Sequence, residues 1–304
     1  MPKEIVLLFW KHMSDTSSWK ASTEYQKIAE ANRQFYAQTA DLYEVSENCI
    51  HDKVLQAGLE TDIDRIISLL GNQIGLLRAL DACGGSGNIS LKLLKRGVVV
   101  THTDISAELQ KIFQSKCQQA GYTTKMVCSE IADFLAHDDN TYHLITFSSA
   151  LHHLENIQTV LQLAFDRLSP GGMLYTVFDP TLRSRLGIVS RIASRLEYYV
   201  FKVFCQTSDL HKAIGRRLRR TFRASSDGVS AATINSDNAG VLAEYRAGVG
   251  IDDLALVDNL KKIGYEVVWH ERYAEARFQI TRRIIKCTGD VSSFKLLLRK
   301  PAAK

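Results

Sequence analysis

The 304-residue chain is short of several things, and each shortage excludes something. It has four prolines, too few for long Pro-rich linkers. Its six cysteines, Cys49, Cys83, Cys117, Cys128, Cys205 and Cys287, are scattered with no C-x-x-C pair. A disulfide scaffold or a metal site is therefore not expected, and a reducing cytoplasm fits. Apolar runs such as Gly97-Val98-Val99-Val100 are far too short to cross a bilayer. The stretch Ile5 to Trp10 lacks a full apolar signal region and a small-residue cleavage site, so no signal peptide is read there. No G-x-x-x-x-G-K-[ST] phosphate loop occurs.

What is present is ordinary for a soluble globular chain: 45% hydrophobic and 23% charged residues, with room for one large α/β domain or two small ones. The net charge of +5 is unevenly spread. Thr181 to Arg223 holds eleven Lys/Arg against Glu197 and Asp209, so the rest of the chain is net acidic.

Periodicity divides the chain. Trp19 to Leu77 reads mostly as helix, on the spacing of Tyr25, Ile28, Ala29, Phe35, Tyr36, Ala40 and Tyr43, with another helix over Ile63 to Leu70. From Leu77 short apolar strands alternate with amphipathic helices. Strands are expected at Leu77–Cys83, Val98–Asp104, Lys125–Cys128, Tyr142–Ser148 and Met173–Asp179, and helices at Ile89–Arg96, Ala107–Gly121 and Ile157–Leu168. After Pro180 the alternation stops. Leu182 to Arg223 reads as two basic amphipathic helices and Ala224 to Asn238 as a flexible loop. A helix over Asp252–Ile263 and strands at Tyr265–Arg272 and Ser292–Arg299 resume the pattern. Alternating β and α units imply a mostly parallel sheet covered on both faces.

Five elements carry chemistry. The first is the turn Asp81-Ala82-Cys83-Gly84-Gly85-Ser86-Gly87-Asn88, where a strand feeds a helix. Glycines let the backbone turn tightly and approach a ligand, and ligands of open α/β sheets bind beyond the strand carboxyl ends. The dinucleotide pattern G-x-G-x-x-G fails here, because phasing on Gly85 and Gly87 puts Ser90 in the third place. Second, Asp104, at the next strand end, suits two ribose hydroxyls or, alternatively, a helix N-cap. Third, Glu130 and Ile131 either meet an adenine edge, with Phe134 over its face, or form a solvated turn. The last two are Phe147-Ser148-Ser149-Ala150-Leu151-His152-His153-Leu154 after the fourth strand and Leu168-Ser169-Pro170-Gly171-Gly172, a turn feeding the fifth.

In this order the five elements resemble the class I S-adenosylmethionine-dependent methyltransferases, and look most similar to the small-molecule branch that includes the ubiquinone and menaquinone-biosynthesis enzymes. The likeness covers about Phe35 to Asp179 plus the terminal strands. It implies a Rossmann-like sheet of seven strands, mostly parallel with the last antiparallel, with helices on both faces. The expected parts are an N-terminal helical lid region (1–76), a cofactor-binding core (77–180), a basic helical cap insertion (181–238) and a C-terminal completion of the sheet (239–304). It implies S-adenosylmethionine as cofactor, held by Asp81, Cys83, Gly84, Gly85, Ser86 and Gly87 of the turn, Asp104 and Ile105, Glu130 and Ile131, and Phe147 and Ser148. Tyr36 and Tyr43 match the family's lid aromatics, and with Ser149 and Leu151 form the candidate substrate side. Two residues depart from the family pattern. Cys83 replaces the usual first glycine and fits if its φ is negative, and Glu130 replaces an aspartate.

The reaction so implied is an in-line methyl transfer to a small, apolar or aromatic acceptor, aided by alignment and a dry aromatic pocket. His152 and His153 stand where a general base would, for an acceptor that must lose a proton; the bland alternative is that they cap the following helix or pack on the sheet. An RNA or protein acceptor is the alternative, although the Asn-Pro-Pro-Tyr motif of many amino-directed nucleic-acid methyltransferases is absent after the fourth strand and no RNA-binding module is seen. A membrane-associated lipid or quinone methyltransferase is another, and a non-catalytic cofactor-binding subunit a third. The basic segment 182–223 reads as a solvated cap over the site, as a peripheral membrane contact, or as a site for an acidic partner. Oligomeric state is not legible.

Overall fold

The computed structural model describes residues 23–71, 75–197, 199–200 and 249–302. The apolar run at 5–10, the densest basic run at 214–223 and the loop expected at 224–238 lie outside the described residues. Two long helices come first, α1 (Thr23–Ser46) and α3 (Lys53–Leu69), joined by the single turn α2 (Asn48–His51). Asp52 starts α3 as its N-cap, accepting the amides of Val54 and Leu55. Leu59, Ile63 and Ile66 of α3 are at most 2% exposed. Burying each contributes about 2 kcal/mol towards holding α3 on the sheet.

The core alternates as its periodicity predicts. The elements are β1 (Arg78–Ala82), α4 (Asn88–Lys95), β2 (Val99–Asp104), α5 (Ala107–Ala120), β3 (Lys125–Cys128), α6 (Ile131–His137), β4 (Tyr142–Ser148), α7 (Ile157–Arg167) and β5 (Leu168–Pro180). After a helical stretch at 188–197 come α8 (Asp253–Ile263), β6 (Glu266–Tyr273), α9 (Gln279–Cys287) and β7 (Ser293–Arg299). The strands form one seven-stranded sheet in the order β3-β2-β1-β4-β5-β7-β6. All pairings are parallel except those of β7, which runs antiparallel to β5 and β6. One apolar cluster packs α6, α7 and α8 on one face, and a second packs α3 and α4 on the other.

Three readings change. Ser169-Pro170-Gly171-Gly172 lies inside β5, at a register shift against Tyr142/Leu144, and does not form a free turn. The left-handed Gly171 ties the strand start to the Lys300 carbonyl. The segment after β3 is a helix, α6. The helix α9 was not foreseen, because nine residues with three arginine or lysine side chains give a weak apolar signal.

Two glycines are required by geometry. Gly87 opens α4 at φ 87°, and a Cβ there would come 2.1 Å from the Phe113 ring. Gly250, at φ 82°, passes so near Thr181 that a Cβ would stand 2.0 Å from its carbonyl oxygen. There the chain leaving β5 and the chain returning before α8 meet, with the Ile251 amide donating to the Pro180 carbonyl at 2.8 Å.

Candidate functional site

Strand order reverses between β1 and β4, since β1 continues to β2 on one side and β4 to β5 on the other. A crevice opens at that point above the strand carboxyl ends. α1 lies across it. The cleft holds about 780 Å³ of empty space including its open mouth, within the range of small-molecule sites.

The structure brings many of the expected residues to this cleft: Cys83, Gly85, Asp104, Ile105, Glu130, Ile131, Ser148 and Ser149 from the strand ends, Tyr36 and Tyr43 from α1, and His153. It places others beneath or beside it. Asp81 is fully buried under the turn, where its carboxylate accepts the Ser90 amide and hydroxyl and the Thr146 hydroxyl at 2.6–2.9 Å. Gly84 and Gly87 shape the turn against His102 and Phe113. Phe147, Leu151 and Phe134 belong to the apolar core, so they supply neither pocket wall nor adenine cover. His152 is also buried. Its Nδ1 lies 2.9 Å from Asp179 Oδ1.

Cys83 sits at φ 55°, in the left-handed region, and so does not have the negative φ expected for it. Its neighbour β2 explains the bend: Gly84 must turn back to donate its amide to Thr103 O at 2.9 Å. Burial, reinforced by Asp104 and Glu130, pushes the Cys83 thiol well up, so it stays protonated.

Asp104 links two elements. Oδ2 accepts the Gly85 amide and Oδ1 the Ser106 amide, each at 2.8 Å. It is Ser106, with its hydroxyl accepting the Leu109 amide, that caps α5. Burial pushes the Asp104 carboxyl up to about 6, and the two backbone amides hold it from rising further. Glu130 is the N-cap of α6, with Oε2 accepting the amides of Ala132 and Asp133.

The opposite wall is aromatic. Tyr36 OH lies 2.8 Å from His153 Nε2, and the Tyr36 ring meets Tyr43 and His153 edge-on at 5.8 and 5.5 Å. His153 packs on His152 at 3.9 Å, and Asn32 donates to the His153 carbonyl. Burial first, then nearby acids, raises the Tyr43 hydroxyl well above its ordinary range. α1 is fixed to the turn by Glu44, which accepts from Ser86 Oγ and from Lys116 Nζ. Ile28, Ala29 and Asn32 also line the cleft. They were missed, although the spacing 28, 32, 36 continues the helical face of Tyr36.

Among the described residues no group of His, Cys, Asp and Glu could hold a metal, and no helix is long and apolar enough to cross a membrane.

Residues 79–172 match the family model described as a methyltransferase domain. They form a class I S-adenosylmethionine-dependent methyltransferase domain. The chain is 33% identical over 125 residues to tRNA 5-carboxymethoxyuridine methyltransferase of Escherichia coli K12, covering 40% of this chain and 47% of that protein. It is 27% identical over 113 residues to ubiquinone biosynthesis O-methyltransferase of Coxiella burnetii, covering 37% and 46%. The chain thus spans about half the length of these curated relatives. Among solved structures, magnesium protoporphyrin IX methyltransferase from Synechocystis PCC 6803 with bound SAH aligns at TM-score 0.50 and 13% identity, over 90% of this chain and 99% of that one. A [4+2]-cyclase aligns at 0.56 and 14%, over 89% and 95%. These likenesses show that the methyltransferase-domain fold extends through the C-terminal strands. The cyclase also shows that the fold alone does not choose the reaction.

Proposed function

We propose that the chain transfers a methyl group from S-adenosylmethionine to a small apolar or aromatic acceptor. The observation that carries this reading is the cleft itself, where Gly85, Asp104, Glu130–Ile131 and Ser148 meet at the strand ends opposite Tyr36 and His153. The donor set fits the cofactor. Each Asp104 oxygen accepts one backbone amide, and an ionised carboxylate retains lone pairs for two ribose hydroxyls. The left-handed Gly85 presents bare backbone to the cleft. The cofactor, when bound, supplies an activated methyl on a sulfonium.

The chain's own part is to align, to exclude water and to take a proton. α1 and the aromatic wall cover the cleft and hold donor and acceptor in line, which removes orientation entropy from the step. A dry aromatic surface suits a positive charge that disperses during transfer. For a hydroxyl acceptor, His153 Nε2, at hydrogen-bond distance from Tyr36 OH, is the residue placed to receive the proton. His152, turned to Asp179, is a positioning residue. The likeness to a ubiquinone-biosynthesis O-methyltransferase supports an oxygen acceptor.

The tRNA enzyme among the relatives favours a second reading, methylation of RNA. Radiolabelled methyl transfer, run in parallel on a metabolite extract and on total tRNA, separates the two: label in the extract is expected, and label only in tRNA overturns the small-molecule acceptor. Titration calorimetry with S-adenosylhomocysteine tests the cofactor. Binding in the micromolar range is expected, with at least tenfold loss in Asp104→Ala; equal binding by the mutant would refute the assignment.

A further inference from the structure

The helical stretch at 188–197 is inside out. Its inward side is small and polar. Ser190 Oγ lies 2.8 Å from Thr288 Oγ1, and Glu197 accepts the Phe278 amide, with Ala193 and Ser194 half-buried between them. Contacts at the two ends of α9, in reverse order, set this helix antiparallel to α9. Its outward side carries Ile188, Val189, Ile192 and Leu196, followed by Tyr199 and Val200, all 43–68% exposed. Steps of three and four residues put them on one face. Ile280 of α9 adds a further side chain that is 68% exposed. An apolar face of this kind on a soluble chain marks a contact surface.

Apart from Asp290, which accepts the Gly187 amide at the start of the helix, the charges exposed beside the face are of one sign. Arg191 and Arg195 are exposed on the same helix, and Arg283 and Lys286 on α9. The one acid within residues 188–200, Glu197, is turned inward to Phe278. Both helices sit on the rim of the sheet where β5 and β6 end and β7 begins, the same rim on which β1 and β4 open the cleft.

We propose that this face lies on an anionic lipid surface, with the aliphatic and tyrosine side chains at the acyl boundary and the arginines on the phosphate headgroups. The arrangement is that of an interfacial amphipathic helix. An RNA would meet the cations but leave six apolar side chains without partners. A second copy across a two-fold axis would bring the arginines of both faces together. The cleft would then open beside the bilayer, which suits an apolar acceptor.

Flotation of the full chain with vesicles of phosphatidylglycerol and phosphatidylcholine, against vesicles of phosphatidylcholine alone, tests the proposal. The chain is expected to float with the anionic vesicles only. Each arginine is worth about fivefold in partitioning, so Arg191→Gln with Arg195→Gln should weaken binding more than tenfold. Ile192→Asp with Leu196→Asp should abolish it. Calorimetry with S-adenosylhomocysteine on the same samples checks that the variants fold; absence of heat from the wild type, with flotation intact, would count against the cofactor reading and leave the lipid face standing. Wild type that ignores anionic vesicles, or an aspartate variant that floats equally well, overturns the proposal. So does a fall in sedimentation mass in the aspartate variant without lipid binding, which would give the face to a second copy.

Discussion

At the scale of single residues, the cleft holds two side chains, Cys83 and Asp104, whose environment changes their behaviour. Cys83 carries a Cβ at φ 55°, a backbone region that costs an L-residue about 1 kcal/mol or more. Replacing it with alanine keeps that strain, and replacing it with glycine removes it. Cys83→Gly should therefore exceed Cys83→Ala in stability by about 1 kcal/mol in urea unfolding, and the reverse order would contradict the left-handed conformation. Asp104 is the titrating group. Its folded carboxyl, near 6, binds a proton more readily than the unfolded chain does, so this group opposes folding increasingly as pH rises from its ordinary 3.8 to about 6. Ligand affinity runs the other way. Above pH 6 the charged carboxylate accepts hydroxyl protons, and below it the protonated form loses that capacity. Affinity for S-adenosylhomocysteine should fall up to tenfold per pH unit below 6 in wild type and stay nearly flat over that range in Asp104→Asn, as read by calorimetry from pH 4.5 to 8.

At the scale of elements, α1 carries its own attachment to the turn. Glu44 joins the Ser86 hydroxyl to the Lys116 ammonium, with the pair about one-third exposed. Water screens such a pair, so its stability contribution is about 0–1 kcal/mol. Its larger effect is expected on the opening of α1, under the proposal that α1 acts as a lid over the cleft. Glu44→Ala should leave the unfolding midpoint within about 2 °C while speeding S-adenosylhomocysteine release severalfold in stopped-flow, because the lid opens more often. An unchanged release rate would show that Glu44 does not hold the lid. α6 illustrates how an element decides a residue's role. Glu130 was legible as a candidate cleft residue but not as an N-cap, since capping depends on which amides the helix start leaves unpaired.

At the scale of the whole molecule, the chain leaving β5 returns to the sheet through a charged knot. Asp253 is fully buried and receives Arg272 through two nitrogens at 2.6 and 2.8 Å, and His270 at 2.6 Å. Arg185, from the far side of the excursion, reaches Asp252 at 2.8 Å and Asp253 at 3.6 Å. Removing the carboxylate would strand the partly buried Arg272 guanidinium and take away the acceptor that faces His270. Asp253→Ala should cost about 3 kcal/mol in denaturant unfolding, and a loss below about 1 kcal/mol would mean the knot is solvated.

The alternation of strands and helices, the glycine turn and the acid at the end of β2 were already legible in the sequence, because short continuous apolar runs, helical apolar spacing and glycine-rich turns are local properties. It also carried the approximate position of every strand. Only the tertiary structure separated residues that share a motif. Asp81 and Asp104 both lie at the carboxyl ends of apolar strands, yet one is consumed beneath the turn by Ser90 and Thr146 and the other faces the cleft. His152 and His153 are adjacent, yet one turns to Asp179 and the other to Tyr36. Their roles follow from partners more than 25 residues away, and no local pattern encodes which direction a side chain takes when the strands pair.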